Sequence, residues 1–320
     1  MFYAVRRGTT AVAAVLFAVA AWSATLPCDP ELTARIPPRE PRAPGGTAFI
    51  ASVEHSSADD REVAAVAQIL SGNIPRFLRA LAPIVVSESL DERRAHVASA
   101  TLCVMPDYLA IGSDDDFVRM PLNLRSATSI ARALGFILPT PKLVDAIHEQ
   151  AAFKLTPQPM PSGPEMVLPG YFLEHDYRIR AQELDEGVRD GALVAGHKKD
   201  VVLSNRLDER PGRLAIYGWQ YPDGTSIQPL STFHHAGYAD YSHGIRLVSD
   251  VVTIDGRRSS AYDVLSDDQR ARLLSGEGAI RNVRLFMNMA TLDSHTARAS
   301  EADSSRYSSE PSVLQQRKPK

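Results

Sequence analysis

Ala192-Leu193-Val194-Ala195, Val201-Val202-Leu203 and Leu214-Ala215-Ile216-Tyr217-Gly218-Trp219 are three short apolar runs whose reading decides the fold. Each is too short for a helix and is rich in β-branched or aromatic residues, so the three read as strands. Asp223-Gly224 marks a tight turn before Ile227, the residue pair that closes hairpins most readily. Gly244 to Val248 and Val251 to Ile254 add two more strands, with Asp255-Gly256 as the next turn. A five- or six-stranded, largely antiparallel sheet is expected in this C-terminal half. Ser266 or Asp267 is placed to cap a final helix running to Leu274.

Upstream of these strands the punctuation is helical. Ser56-Ser57 precede Asp59, Asp60 and Glu62, which gives a capped helix with Val63, Val66, Ile69 and Leu70 as its apolar stripe and Gly72 as its end. Pro75 starts a short helix through Leu81. Ala95 to Ile111 reads as extended, and Gly112-Ser113-Asp114-Asp115-Asp116 as a hairpin turn before Phe117. Three adjacent Asp are oxygen ligands of the kind calcium takes, but the alternating spacing of a calcium loop is absent. Ser126 is expected to cap a helix ending at Gly135. Thr140, with Pro141 at the first helical position, caps the next, where His148 is a packed edge residue. Residues 157–169 hold five prolines and form an extended strap, or alternatively an interdomain linker. Tyr171 to Leu184 reads as a helix with Arg178 and Arg180 on its surface. The fold class is therefore α+β: N-terminal helices packed on a mostly antiparallel C-terminal β-sheet, in one domain over 56–293.

The ends differ from this body. Arg6-Arg7 followed by the apolar run Ala11 to Trp22, with Ser23 and Ala24 behind it, has the layout of a secretory signal peptide over residues 1–24. An uncleaved anchor is the alternative, although the run is short for a membrane span, and Arg6-Arg7 would also serve twin-arginine export. Residues 25–55 read as an extended arm and 294–320 as a disordered tail. Cys28 and Cys103 are the two cysteines. Outside the cytoplasm they would pair. Otherwise Cys103 is a small buried hydrophobe or a nucleophile. A net charge of −3 over 320 residues, with 44% hydrophobic and 23% charged residues, gives no basic patch for nucleic acid. The expected locale is secreted or periplasmic, with no stable membrane insertion after signal cleavage.

Candidate chemistry concentrates between Gly196 and Arg246, which holds four of the nine histidines. His197 follows a strand in a Gly196 turn, and His234 to His243 precede another, in the loops where binding groups project. His243, His197 and His234 are candidate acid/base groups or metal ligands. Asp240 and Asp200 are candidates to orient them, and Ser242 to act as a nucleophile. Lys198 and Arg246 would hold an anionic group, with Tyr217, Trp219 and Tyr241 as aromatic faces for a polymer. The alternative is that the histidines are ordinary loop and structural residues. No His-Glu-x-x-His, Gly-x-Ser-x-Gly, Cys-x-x-Cys or phosphate-binding glycine loop occurs.

Two family resemblances fall in this segment. Ser242-His243-Gly244-Ile245-Arg246 resembles the Ser-His-Gly-Cys-Ile-Arg signature of L,D-transpeptidases, which cross-link peptidoglycan on a β-rich fold. That resemblance implies a nucleophilic Cys, but here Gly244 runs directly into Ile245, leaving Cys103 or Ser242 for the role. Thr232 to Asp240 resembles the Ser-x-His-x-x-Gly-x-Ala-x-Asp zinc motif of D-Ala-D-Ala carboxypeptidases, with Asp240 one residue early and no Glu-x-x-His downstream. A broader resemblance, to a family of uncharacterised secreted bacterial proteins, rests on Met105 to Asp114, Pro139 to Asp145, Gly196 to Val202 and Asp240 to Val248. It implies secretion and a common fold. Together these readings point to an exported hydrolase or transferase acting on a cell-envelope or extracellular polymer such as peptidoglycan or a glycan, with a divalent metal such as zinc as a possible cofactor. The alternatives are a non-catalytic module that binds a glycan or peptide, and a metal with a structural role.

Overall fold

Turn chemistry and strand pairing build two larger sheets and two two-stranded ones in the computed structural model, which describes residues 28–90 and 97–288. The signal-peptide and disordered-tail expectations fall outside those residues. The helices are α1 (Pro30–Ala34), α2 (Gly46–Ser52), α3 (Ala58–Leu70), α4 (Leu124–Leu134), α5 (Pro141–Gln150), α6 (Pro169–Glu186), α7 (Arg206–Glu209), α8 (Ala261–Ser266) and α9 (Val283–Met287). The strands are β1 (Ala82–Ser89), β2 (Val97–Val104), β3 (Ala110–Gly112), β4 (Phe117–Arg119), β5 (Phe136–Ile137), β6 (Phe153–Lys154), β7 (Val194–Ala195), β8 (Lys199–Val202), β9 (Ala215–Gln220), β10 (Ser226–Ser231), β11 (His243–Gly244), β12 (Val248–Ile254) and β13 (Arg257–Ser260). The protein is α+β, with mostly antiparallel sheets.

The single C-terminal sheet expected from the sequence is in fact divided between two larger ones, with β7 apart from both in a parallel pair with β6. One runs β10-β9-β8-β11 and is local to residues 199–244. The other runs β1-β2-β12-β13, with β5 also paired to β12. It joins the two halves, because β12 pairs antiparallel with β2 across about 150 residues of chain. Such a non-local ladder leaves no trace in a local apolar pattern. The apolar core is correspondingly continuous, from Ile36 to Met287.

Several local expectations hold. Ser57 accepts from the Asp60 amide at the start of α3, and Thr140 accepts from the Leu143 amide at the start of α5, with Pro141 at its first position. The Asp-rich turn closes the β3–β4 hairpin. Its carboxylates are used as caps: Asp116 accepts from the amide and hydroxyl of Thr47, and Asp114 from the Phe77 amide. The proline-rich segment 157–169 packs against the body, with Met160 buried and its amide donating to the Tyr241 hydroxyl.

Others are corrected. The arm over 25–55 is not extended throughout. Asp29 caps α1 with Pro30 at its first position, and Gly46 lets α2 lie directly on the backbone of Phe117 and Val118, where a Cβ would sit 2.5 Å from the chain. In α3 the buried face carries Arg61, Glu62, Ala65 and Ile69, while Val63 is exposed. Asn123, not Ser126, caps α4, and Gly135 ends it in the left-handed conformation. The helix expected from Ser266 or Asp267 to Leu274 is a short 3-10 helix over Arg270–Leu273, with Asp267 accepting from the Gln269 and Arg270 amides, and β13 runs straight into a separate helix, α8, at Ala261.

Cys28 and Cys103 form a disulfide across 75 residues of sequence, tying the N-terminal arm to β2. Closing a loop of that length removes about 4 kcal/mol of chain entropy from the unfolded state. The double variant Cys28→Ser/Cys103→Ser should lower unfolding free energy by a large part of that amount in denaturant titrations. An unchanged midpoint would show that the crosslink adds nothing.

Candidate functional site

Parallel pairing of β8 with β11 brings the two ends of the Gly196–Arg246 segment together, His243 opposite Lys199 and Gly244 opposite Asp200. Two glycines make this approach possible. Gly196 has φ +99°, and a Cβ there would lie 2.5 Å from the Leu155 carbonyl and 2.7 Å from that of Gln220. At Gly244 a Cβ would lie 2.6 Å from the Tyr108 ring, so only glycine lets that ring reach β8.

Three of the nominated residues meet at one corner. The His243 Nε2 atom lies 3.9 Å from Asp240 Oδ2, and the His243 ring centroid lies 6.2 Å from that of His234. His234 stacks on Tyr238 with centroids 4.1 Å apart and planes 12° apart. Tyr238 donates to Asp240 Oδ2 at 3.1 Å and faces His243 at 5.7 Å. His243 is fully buried, and neither ring nitrogen has a hydrogen-bond partner among the described residues. Burial pushes its imidazole down to about 4, although Asp240 pulls the other way. Burial also pushes His234 down to about 4. Burial opposes ionisation of Asp240 too, but His243, Lys199 and Ser242 hold its carboxyl down at about 2. Lys199 lies 4.9 Å over the ring of Trp219. Trp219 has φ +55°, a left-handed backbone that a bulky residue adopts only under constraint.

The remaining candidates lie elsewhere. His197 pairs with Asp107, not Asp200: Nε2 lies 3.0 Å from Asp107 Oδ1. Burial takes its imidazole down to about 4. Asp200 accepts from the Tyr108 hydroxyl at 2.8 Å, and burial raises its carboxyl to about 7. Lys198 is fully buried, donates to Tyr241 O at 2.7 Å and lies 3.1 Å from His175 Nδ1. Burial lowers its ammonium to about 7. Arg246 is buried over the Tyr108 ring at 4.2 Å and donates to the carbonyls of Met105 and Val194. Neither cation lies where a substrate anion would meet it. Tyr217 donates to Asp145 against α5, and Tyr241 faces the strap. Both are packing residues here. Trp219 is nearly buried, at 6% exposure.

Neither substitute nucleophile is free. Cys103 is spent in the disulfide, and the Ser242 hydroxyl donates to Asp240 Oδ1 at 2.5 Å. Among the described residues no group of three His, Cys, Asp or Glu side chains is placed to hold a metal ion, so the zinc expectation has no ligand set there.

Sequence reading missed a second cluster. Arg119, 1% exposed, donates to Asp107 at 2.7 Å and to Asp176 at 3.0 Å, and pairs with Glu183. Asp107, Asp176 and Glu183 sit up to 76 residues apart in sequence. The available signal was local: Asp176 and Glu183 recur seven residues apart on one face of α6. No protein-family model, curated protein or solved structure matches the chain.

The buried titrating groups give opposite pH dependences. His243 has a folded pKa below its unfolded value, so the unfolded chain binds the extra proton and stability falls as pH drops from about 6.5 to 4. A His243→Gln variant should lose that slope, narrowing the wild-type deficit at pH 4 by on the order of 3 kcal/mol. Asp200 has a folded pKa above its unfolded value, so the native state binds the extra proton and stability falls as pH rises from about 4 to 7. Asp200→Asn should remove a loss on the order of 4 kcal/mol over that window. Denaturant titrations at pH 4, 5.5 and 7 test both; parallel curves for variant and wild type would contradict the assignments.

Proposed function

We propose that the protein is an exported hydrolase or transferase acting on a cell-envelope or extracellular polymer, with His243 as the acid/base group. One observation carries this reading: an imidazole sealed in the interior with both nitrogens unpaired and a carboxylate 3.9 Å away. Buried polar groups are nearly always hydrogen-bonded, so a purely structural histidine would have partners. Neutral at pH 7, His243 is in the form that accepts a proton. Asp240, anionic beside it, would stabilise the imidazolium once formed. Ser242 donates to a weakly basic carboxylate and is poorly activated, so water is the better nucleophile for hydrolysis. Export is supported by the signal-like N-terminus and by the disulfide, since such bonds persist in oxidising compartments. Among the described residues no helix is long and apolar enough to cross a membrane.

A second reading, a non-catalytic module that binds a glycan or peptide, is favoured by a specific observation: His234 and Tyr238 lie over His243 as a stacked pair, and aromatic faces of this kind grip sugars and peptides. Purified peptidoglycan and acidic glycans should be turned over by wild type, with His243→Gln reducing the rate by about two orders of magnitude or more while the fold is retained. Binding without turnover in the wild type would favour the module, and equal turnover by the variant would remove His243 from the chemistry.

A further inference from the structure

A cleft of about 430 Å³ opens between α6, the segment 188–194 and the β3–β4 hairpin, away from the His243 corner. Its walls sort by chemistry. Asp107 and Glu183 are among its lining residues, and the carboxylates of both are bound to Arg119. That one guanidinium is shared with Asp176 as well, so three carboxylates face a single cation. His197, the other partner of Asp107, adds no charge, because burial keeps its imidazole neutral at pH 7. Lys198 is the next cation, but its ammonium is already committed to the Tyr241 carbonyl and lies against His175. Asp107 is saturated, Oδ1 accepting from the Tyr108 amide and lying 3.0 Å from His197 Nε2 and Oδ2 accepting twice from Arg119, whereas Glu183 keeps partial access to solvent, with 16% of its side chain exposed.

Phe77 and Phe117, edge to face at 5.1 Å, give the cleft an apolar wall. Arg180 is stacked on Phe117 and donates to the Asp115 carbonyl, so its charge is partly spent. Arg189 is exposed and also lines the cleft. A ligand that satisfies all three features carries an ammonium group, an apolar side chain beside it and an anionic group beyond.

We infer that this cleft binds the amino end of a short peptide, its ammonium against Glu183 and its first side chain against Phe77 and Phe117. The site shares no lining residue with the His243 corner, so the inference stands or falls separately from the proposed catalysis. An ammonium placed on a partly desolvated carboxylate makes a charge-assisted hydrogen bond, and a buried charge left with one cation for three anions gains from a second. Burial raises the Glu183 carboxyl, which Arg119 opposes. An arriving cation would act in the same direction as Arg119.

Isothermal titration of the folded protein with the dipeptide Phe-Ala, and with N-acetyl-Phe-Ala, tests the inference. Saturable binding of Phe-Ala is expected, weakened at least about tenfold by acetylation and by Glu183→Gln, the loss of one charge-assisted contact. Should Glu183→Gln disturb the fold, Leu184→Trp serves instead: Leu184 is 83% exposed on the cleft wall, and a larger side chain there should obstruct entry without touching the carboxylates. Absence of Phe-Ala binding to the wild type, or equal binding of the acetylated peptide, would overturn the assignment. His243→Gln should bind Phe-Ala as the wild type does, whatever its effect on polymer turnover.

Discussion

Taking a guanidinium out of water costs several kcal/mol unless its donors are met by anions, and in this protein Arg119 meets that cost with three carboxylates from two distant segments. Asp107 comes from the loop after β2, and Asp176 and Glu183 from α6. The backbone amide of Arg119 also donates to Asp176. The cluster thereby fixes the loop at residue 107 against α6. From there the order propagates through named contacts. Asp107 holds His197, Tyr108 holds Asp200, and Lys198 holds the Tyr241 carbonyl. The last of these secures the segment that carries Asp240 and His243. Without the cation, two buried carboxylates and a half-buried one would face one another, and the loop, β8 and the 240–243 segment would lose their common anchor.

The extent to which this was legible in the sequence follows the range of each interaction. Caps and turns act over three or four residues, so Ser57, Thr140 and the Gly112–Asp116 turn could be read directly. The β8–β9–β10 hairpins were legible for the same reason: their pairing partners are close in sequence. The five-stranded sheet was not, because β2 and β12 meet across about 150 residues of chain. The stripe predicted for α3 failed at Val63 for a different reason. Apolar spacing there is ambiguous, and the face that turns inward carries Arg61, whose guanidinium lies 5.1 Å over the Phe172 ring, and Glu62, which accepts from the Asn123 amide. Tertiary partners decided what local pattern could not.

The same distinction divides the candidate site. His234, Asp240 and His243 lie within ten residues, and their convergence was readable as a cluster. Asp200 was a candidate to orient a histidine, but its carboxylate accepts from the Tyr108 hydroxyl instead. The partner that His197 takes is Asp107, 90 residues upstream. Lys198 and Arg246 looked like anion-binding residues from charge alone. Their burial shows the opposite use: their long side chains cross the interior and donate to carbonyl groups of Met105, Val194 and Tyr241.

Any chemistry at His243 has to reach a ring enclosed by His234 and Tyr238, and the backbone around those two residues restricts how. Leu214 donates to the His234 carbonyl, Ala236 to that of Gly212, and Leu124 to that of Ala236. On the other side Tyr241 donates to the Met166 carbonyl and Lys199 to that of Ser242. The segment is thus pinned at both ends, and lifting it as a loop would break at least five hydrogen bonds. Rotating the side chains is far less costly. Freeing Tyr238 gives up one hydrogen bond to a charged group, about 1.5–3 kcal/mol, and unstacking it from His234 about 0.5–1.5 kcal/mol more. Side-chain rotation is therefore the route by which a polymer could approach His243. It also leaves Asp240 with an open acceptor as Tyr238 departs, so uncovering the histidine and freeing the carboxylate beside it would be one event.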